Sequence, residues 1–131
     1  MGTEYLLDWN TAIYLIKGSL PIITSSAMVE ASSDVPRLSV ISKIEILGWN
    51  APTEAEAKKC LDFVSDSLIY PLSDEIVEKT IWIRQLPQKP KLPDCIIAAT
   101  ALIHDMVLLT RNEGDFSKIP GLRFVNPFVE T

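Results

Sequence analysis

Short, unbroken apolar runs, each followed by a segment with helical spacing, constrain what this chain can fold into more than any other feature. Glu4-Tyr5-Leu6-Leu7 reads as a first buried strand. Thr11 to Lys17 then reads as a brief helix, with Asn10 as its N-cap and Gly18 as its stop. Leu38 to Ile41 is a second strand, leading into a helical start at Ser42-Lys43-Ile44-Glu45 that ends or bends at Gly48. Pro52-Thr53 opens a long helix to about Ser67, where Thr53 and Glu56 have capping-box spacing and Ala57, Leu61 and Val64 give the apolar stripe. Leu68 to Leu72 is a third strand, and Ser73 to about Gln85 is helical. Leu86 to Pro93 holds three prolines and is a loop before the apolar, alanine-rich helix Asp94 to His104. Met106 to Leu109 and Leu122 to Val125 complete the strands, while Leu20 to Pro36 promises only some helix and a loop. Apolar strands alternating with helices, with few hairpin turns between them, predict one α/β domain over residues 1–131. Its central, mostly parallel sheet should be flanked by helices on both faces.

Composition agrees with a single compact unit. The chain has 131 residues, of which 47% are hydrophobic and 22% charged, enough to bury a core without disulfides or a structural metal. Its two cysteines, Cys60 and Cys95, form no ligand-spaced set, which suits a reducing compartment. Residues 1–8 carry Glu4 and lack a basic, then apolar, leader, and no apolar run approaches the length of a bilayer span. A cytoplasmic protein without a membrane partner is expected. Seventeen acids against twelve bases give a net charge of −5, at first sight unfriendly to nucleic acid.

Four acids stand out by where they fall. Asp8 directly follows the first strand, and Glu45 lies in the first turn after the second. Asp94 starts the helix after the proline loop, and Asp115 lies beyond the Met106–Leu109 strand, just after Asn112. In an open parallel sheet, ligands bind beyond the C-terminal strand ends, so all four can serve one edge. Each also has a purely structural role open to it. Glu45 follows Ser42 with capping-box spacing, Asp94 suits the positive end of a helix, Asp8 could be a turn or cap, and Asp115 an ordinary turn acid.

Gathered carboxylates repel one another and need a positive partner, for which a hard divalent cation is the natural candidate. The only histidine, His104, and two isolated cysteines exclude a histidine-rich zinc site or a thiolate cage. Cys95 reads as a buried inert thiol, and Trp49 and Trp82 as core or interface residues. No glycine-rich phosphate cradle is present.

These residues also carry a family pattern. The chain resembles a PIN domain, and more narrowly the short VapC-like toxins of type II toxin–antitoxin pairs. Tyr5-Leu6-Leu7-Asp8-Trp9-Asn10 is similar to the family's hydrophobic–D-x-N start, and Ser39 to Gly48 to its S-x-x-[ST]-x-x-E-L-x-x-G stretch. Pro93-Asp94-Cys95-Ile96-Ile97-Ala98-Ala99-Thr100-Ala101 resembles its D-x-x-I-A-A-T-A helix. Thr110-Arg111-Asn112-Glu113-Gly114-Asp115-Phe116, then Pro120-Gly121-Leu122 and Asn126-Pro127, resemble its ending. Trp9 departs from the pattern, standing where a small polar residue is usual.

The resemblance implies a metal-dependent ribonuclease with Asp8, Glu45, Asp94 and Asp115 as the acidic, metal-holding set and Asn112 as polar support. Mg²⁺ or Mn²⁺, one or two ions per site, would be the cofactor. A cognate antitoxin and a second copy of the chain would be the protein partners. The four acids account for most of the net charge, so the remaining surface is close to neutral. Lys89, Lys91, Arg111 and Lys118 are then candidates to meet RNA phosphates. A non-catalytic interaction module of the same fold is the alternative. A phosphatase would want a second Asp where Asn10 stands, and a phosphoacceptor domain would want its lysine after the late strand.

Overall fold

The computed structural model describes residues 2–18, 30–31 and 33–128. In chain order they form β1 (Tyr5–Leu7), α1 (Trp9–Lys17), β2 (Arg37–Ser39), α2 (Val40–Gly48), α3 (Glu54–Ser65) and β3 (Leu68–Tyr70). There follow α4 (Asp74–Arg84), α5 (Leu92–Ile103), β4 (Val107–Leu109), α6 (Glu113–Phe116) and β5 (Phe124–Val125). The expected segment 20–36 lies largely outside the described residues.

All strand pairings are parallel, in the order β3-β2-β1-β4-β5. The expected α/β architecture is therefore present, with a sheet that is wholly parallel. Side chains alternate across it as the two-residue period of a strand demands. Leu6 and Leu108 face a core built with Ile76 and Ile83 of α4 and Ile97, Ala98 and Ala101 of α5. Leu7, Leu38 and Leu109 face the opposite core, with Ala12 and Ile13 of α1, Ile46 of α2, and Cys60 and Val64 of α3. Both faces are covered, which is why each strand reads as an unbroken apolar run.

Several element boundaries differ from the sequence expectation, each for a local reason. The N-cap of α1 is Asp8, not Asn10: its Oδ1 accepts the Thr11 N–H at 2.9 Å, so the helix begins at Trp9. Gly18, at φ 66°, closes α1 in the left-handed conformation that glycine adopts without penalty. Ser39 caps α2 by accepting the Ile41 N–H at 3.1 Å, and β2 ends there. Glu45 therefore lies beyond the first turn of α2, and a Ser42–Glu45 capping box does not form. Thr53 caps α3 by accepting the Glu56 N–H at 3.1 Å, as its spacing predicts. The buried stripe of α3 is Cys60 and Val64; Ala57 and Leu61 are exposed. Among the described residues, no helix is long and apolar enough to cross a membrane.

Candidate active site

The sheet order places the site. From β1 the chain moves to β2 on one side, while β4 occupies the other, so the direction of strand succession reverses at β1. Loops leaving the C-terminal ends of β1 and β4 diverge there and leave a crevice. Leu7 pairs with Leu109 across the β1–β4 ladder, and the Asp8 N–H continues it with a 3.3 Å bond to the Leu109 carbonyl. Asp8 is thereby fixed beside Thr110. On the other side Leu7 pairs with Leu38, which sets Ser39 and the start of α2 at the same edge.

A cleft of about 210 Å³ opens at this edge. Asp8, Glu45, Asp94 and Asn112 line it, with Trp9, Lys91 and Phe116 among the other walls. Asp8 is buried, only 7% exposed, whereas Glu45, Asp94 and Asp115 are partly buried. Asp115 belongs to the same electrostatic group through its repulsion of Asp94. Asn112 donates from Nδ2 to Asp115 Oδ2 at 2.9 Å and caps α6 through its Oδ1. Four acids and one amide, dispersed from residue 8 to residue 115, thus meet at one edge.

Their titration records that meeting. The Glu45 carboxyl is pushed up to about 7, first by burial and then by the charges of Asp94 and Asp8. Burial raises Asp94, and Asp115 and Asp8 raise it further, against the opposing pull of Lys91. Asp94 stands in the first turn of α5, so the favourable field of the helix N-terminus is outweighed here. Asp8 is also raised by burial, while hydrogen bonding from Thr110 and Thr11 pulls the other way. At the opposite, N-terminal edge the acids are neutralised: Arg37 pairs with Asp34 at 2.8 Å and with Glu4 at 3.3 Å.

The donor set suits a hard cation. All the gathered side chains offer oxygen, and Glu45 Oε1 is buried without a hydrogen-bond partner among the described residues. An unpaired buried carboxylate oxygen is costly unless something positive or hydrogen-bonding meets it. As they stand, no three His, Cys, Asp or Glu side chains among the described residues are gathered closely enough to enclose an ion. Mg²⁺ does not require such a cage, being commonly held by one or two carboxylates with water and phosphate oxygens.

Residues set aside in the sequence lie elsewhere. His104 sits at the far end of α5 with its ring 4.6 Å from that of Tyr70. Cys95 is buried and donates to the Pro90 carbonyl at 3.3 Å. Two supporting residues carry no sequence signal of the contacts they make. Thr11 donates to the Leu109 carbonyl at 3.1 Å, and the wholly buried Thr110 accepts the Asn112 N–H at 3.0 Å. Thr110 opens the family-like segment through Phe116, but nothing in the sequence shows that its hydroxyl holds the Asn112 backbone.

No protein-family model matches the sequence, and no curated protein matches it. Solved structures do. A toxin–antitoxin complex from Klebsiella pneumoniae contains a chain 31% identical, matched over 98% of this chain and 100% of that one with a TM-score of 0.72. VapBC2 from Rickettsia felis, bound to a DNA fragment from its promoter, matches with 23% identity and a TM-score of 0.73, over 95% of this chain and 98% of that one. VapBC-1 from nontypeable Haemophilus influenzae matches over the same shares with 23% identity and a TM-score of 0.71. At that identity the last two speak for the fold. A parallel five-stranded α/β domain with an acidic cleft at its switch point is the class that structure and likeness define together. The chain belongs to the PIN-domain family, in its VapC-like group.

Proposed function

We propose that the protein is a metal-dependent endoribonuclease that hydrolyses RNA phosphodiester bonds and serves as the toxin of a toxin–antitoxin pair. The observation that carries this reading is the convergence of Asp8, Glu45 and Asp94 on one cleft, with Asp115 close enough for its charge to act on Asp94 and with Glu45 Oε1 buried and unpartnered among the described residues. Asp8 and Asp94 would hold Mg²⁺ or Mn²⁺ centrally, with Glu45 and Asp115 binding directly or through water. When bound, one or two such ions lower the pKa of water and offset charge on the phosphate.

The chain's own groups do the rest. Asn112 fixes the Asp115 carboxylate by its 2.9 Å bond. Lys91, on the cleft wall, supplies a cation for a non-bridging phosphate oxygen. Glu45 Oε1, which receives no hydrogen bond from the described chain, is free to take the proton released by the attacking water. Hydrolysis by this route leaves 5′-phosphate and 3′-hydroxyl ends. Product analysis on matched RNA and DNA strands tests it: RNA fragments with those ends are expected, and cyclic 2′,3′-phosphates or cleavage of DNA alone would overturn it.

The Klebsiella pneumoniae relative is a toxin–antitoxin complex, which supports a cognate antitoxin for this chain as well. Ile44 and Leu47 on α2, Leu61 on α3, and Ile81 and Trp82 on α4 are exposed, giving apolar surface for that partner and for a homodimer. A strict monomer at micromolar concentration would count against the dimer.

A further inference from the structure

Beside the acidic cleft lies a second groove, of about 250 Å³, lined by Trp9, Asn10, Ile13, Tyr14, Lys17 and Trp49. Trp9 and Asn10 line both, so the two adjoin. Half of the groove's lining is aromatic, although only 8% of the chain is. Its one charged lining residue, Lys17, is opposite in sign to the cleft acids, and Arg111 lies just outside it against Tyr14. Lys17 Nζ lies 5.0 Å from the Trp49 ring centroid. The Arg111 guanidinium lies 5.6 Å from the Tyr14 ring and 4.9 Å from that of Phe128, and it donates to the Tyr14 hydroxyl at 2.8 Å. Nothing in hydrolysis at the cleft requires these rings.

We propose that this groove is a nucleobase subsite, which stacks one unpaired base of a single-stranded RNA whose backbone continues into the acidic cleft. The inference rests on the ribonuclease reading and narrows its substrate class. Aromatic faces stack on any base, and adjacent cations meet the phosphates on either side of it. Bases within an A-form duplex are stacked on one another and cannot enter a side groove, so loops and unpaired strands are selected. The shared wall of Trp9 and Asn10 sets the base next to the cleft that would receive its neighbouring phosphate.

The test uses the full chain carrying Asp94→Asn to stop cleavage and Trp82→Phe, so that intrinsic fluorescence arises from Trp9 and Trp49 alone. Three probes are titrated: a mixed-sequence single-stranded RNA of about eight nucleotides, a strand of the same length built of abasic ribose phosphate, and the duplex of the first. Nucleotide-dependent quenching is expected with the single strand only. Trp49→Ala should weaken single-strand binding about tenfold, within the usual effect of removing a base-stacking ring, and Trp49→Phe should restore most of it. Lys17→Gln, at the exposed end of α1, provides a second variant and should weaken binding while flattening its salt dependence.

Equal affinity of Trp49→Ala and Lys17→Gln for the single strand would overturn the proposal and leave the groove to a protein segment. So would equal affinity for the abasic strand or the duplex. The two readings fail separably. Trp49-dependent binding without cleavage by the unsubstituted chain sinks the ribonuclease and keeps the subsite. Cleavage with binding indifferent to Trp49 does the reverse.

Discussion

Glu45 and Asp94, separated by 49 positions in the sequence, stand close enough across the cleft for the charge of Asp94 to help hold the Glu45 carboxyl at about 7. Burial is the larger cause, and Asp8 adds a third contribution. Burial and like charge thus oppose ionisation at the edge where the chemistry is proposed to occur.

That opposition sets a pH dependence. Because the folded pKa of Glu45 is above its unfolded value, folded protein keeps a proton that unfolded chain gives up. Stability of the metal-free protein therefore falls as pH rises from about 4.5 to about 7 and then levels off. Asp8 and Asp94, also raised, act in the same direction. Glu45→Gln should stabilise the metal-free protein at pH 8 by about 1–2 kcal/mol, the full shift being discounted for partial solvent screening. The gain should vanish near pH 4. Urea denaturation at the two pH values measures it, and an equal effect at both would contradict the assignment.

Asp8 has two separable duties. It caps α1 through the Thr11 N–H and contributes a carboxylate to the cleft. Asp8→Asn keeps an oxygen for the cap and should leave stability unchanged or slightly raised, because it removes a buried charge. Asp8→Ala loses the cap and should cost about 1 kcal/mol. Both should lose Mn²⁺ affinity. Thermal denaturation combined with calorimetric Mn²⁺ titration distinguishes the duties, and full Mn²⁺ affinity in Asp8→Asn would remove it from the ligand set.

Asn112 is expected to act by positioning. Asn112→Ala removes both the 2.9 Å bond to Asp115 Oδ2 and the side-chain cap of α6. Loss of such an outer partner usually costs about 10–100-fold in metal affinity or activity. The affinity loss should appear in the same Mn²⁺ titration, with Asn112→Asp recovering the cap but not the donated bond. Unchanged Mn²⁺ binding in Asn112→Ala would make it a capping residue only.

Much of this was legible in the sequence, and the exceptions share a cause. Leu6, Leu7, Leu108 and Leu109 announce themselves because both faces of a parallel sheet are buried. The acidic set was legible as positions at strand ends and as a family pattern. What the sequence does not carry is registration between distant segments. Ser39 and Ser42 are both plausible starts for α2. The choice falls to Ser39, where β2 ends in register with Tyr70 of β3, and this moves Glu45 out of the first turn. On α3, Leu61 looks like a core residue, yet the neighbouring Cys60 is the one buried; a helix turns about 100° per residue, so one position changes the face. Trp49 reads as core or interface, and it does pack against the core of one sheet face; its position beside Trp9 and Lys17 is set only by the fold.

Cleavage of total RNA by the purified, antitoxin-free protein tests the central claim most directly. With Mg²⁺ or Mn²⁺ the protein should yield discrete fragments, and these should vanish both with EDTA and in the Asp94→Asn variant. Fragments that persist in EDTA or in Asp94→Asn, or folded protein that cuts no RNA with either metal, would contradict the account.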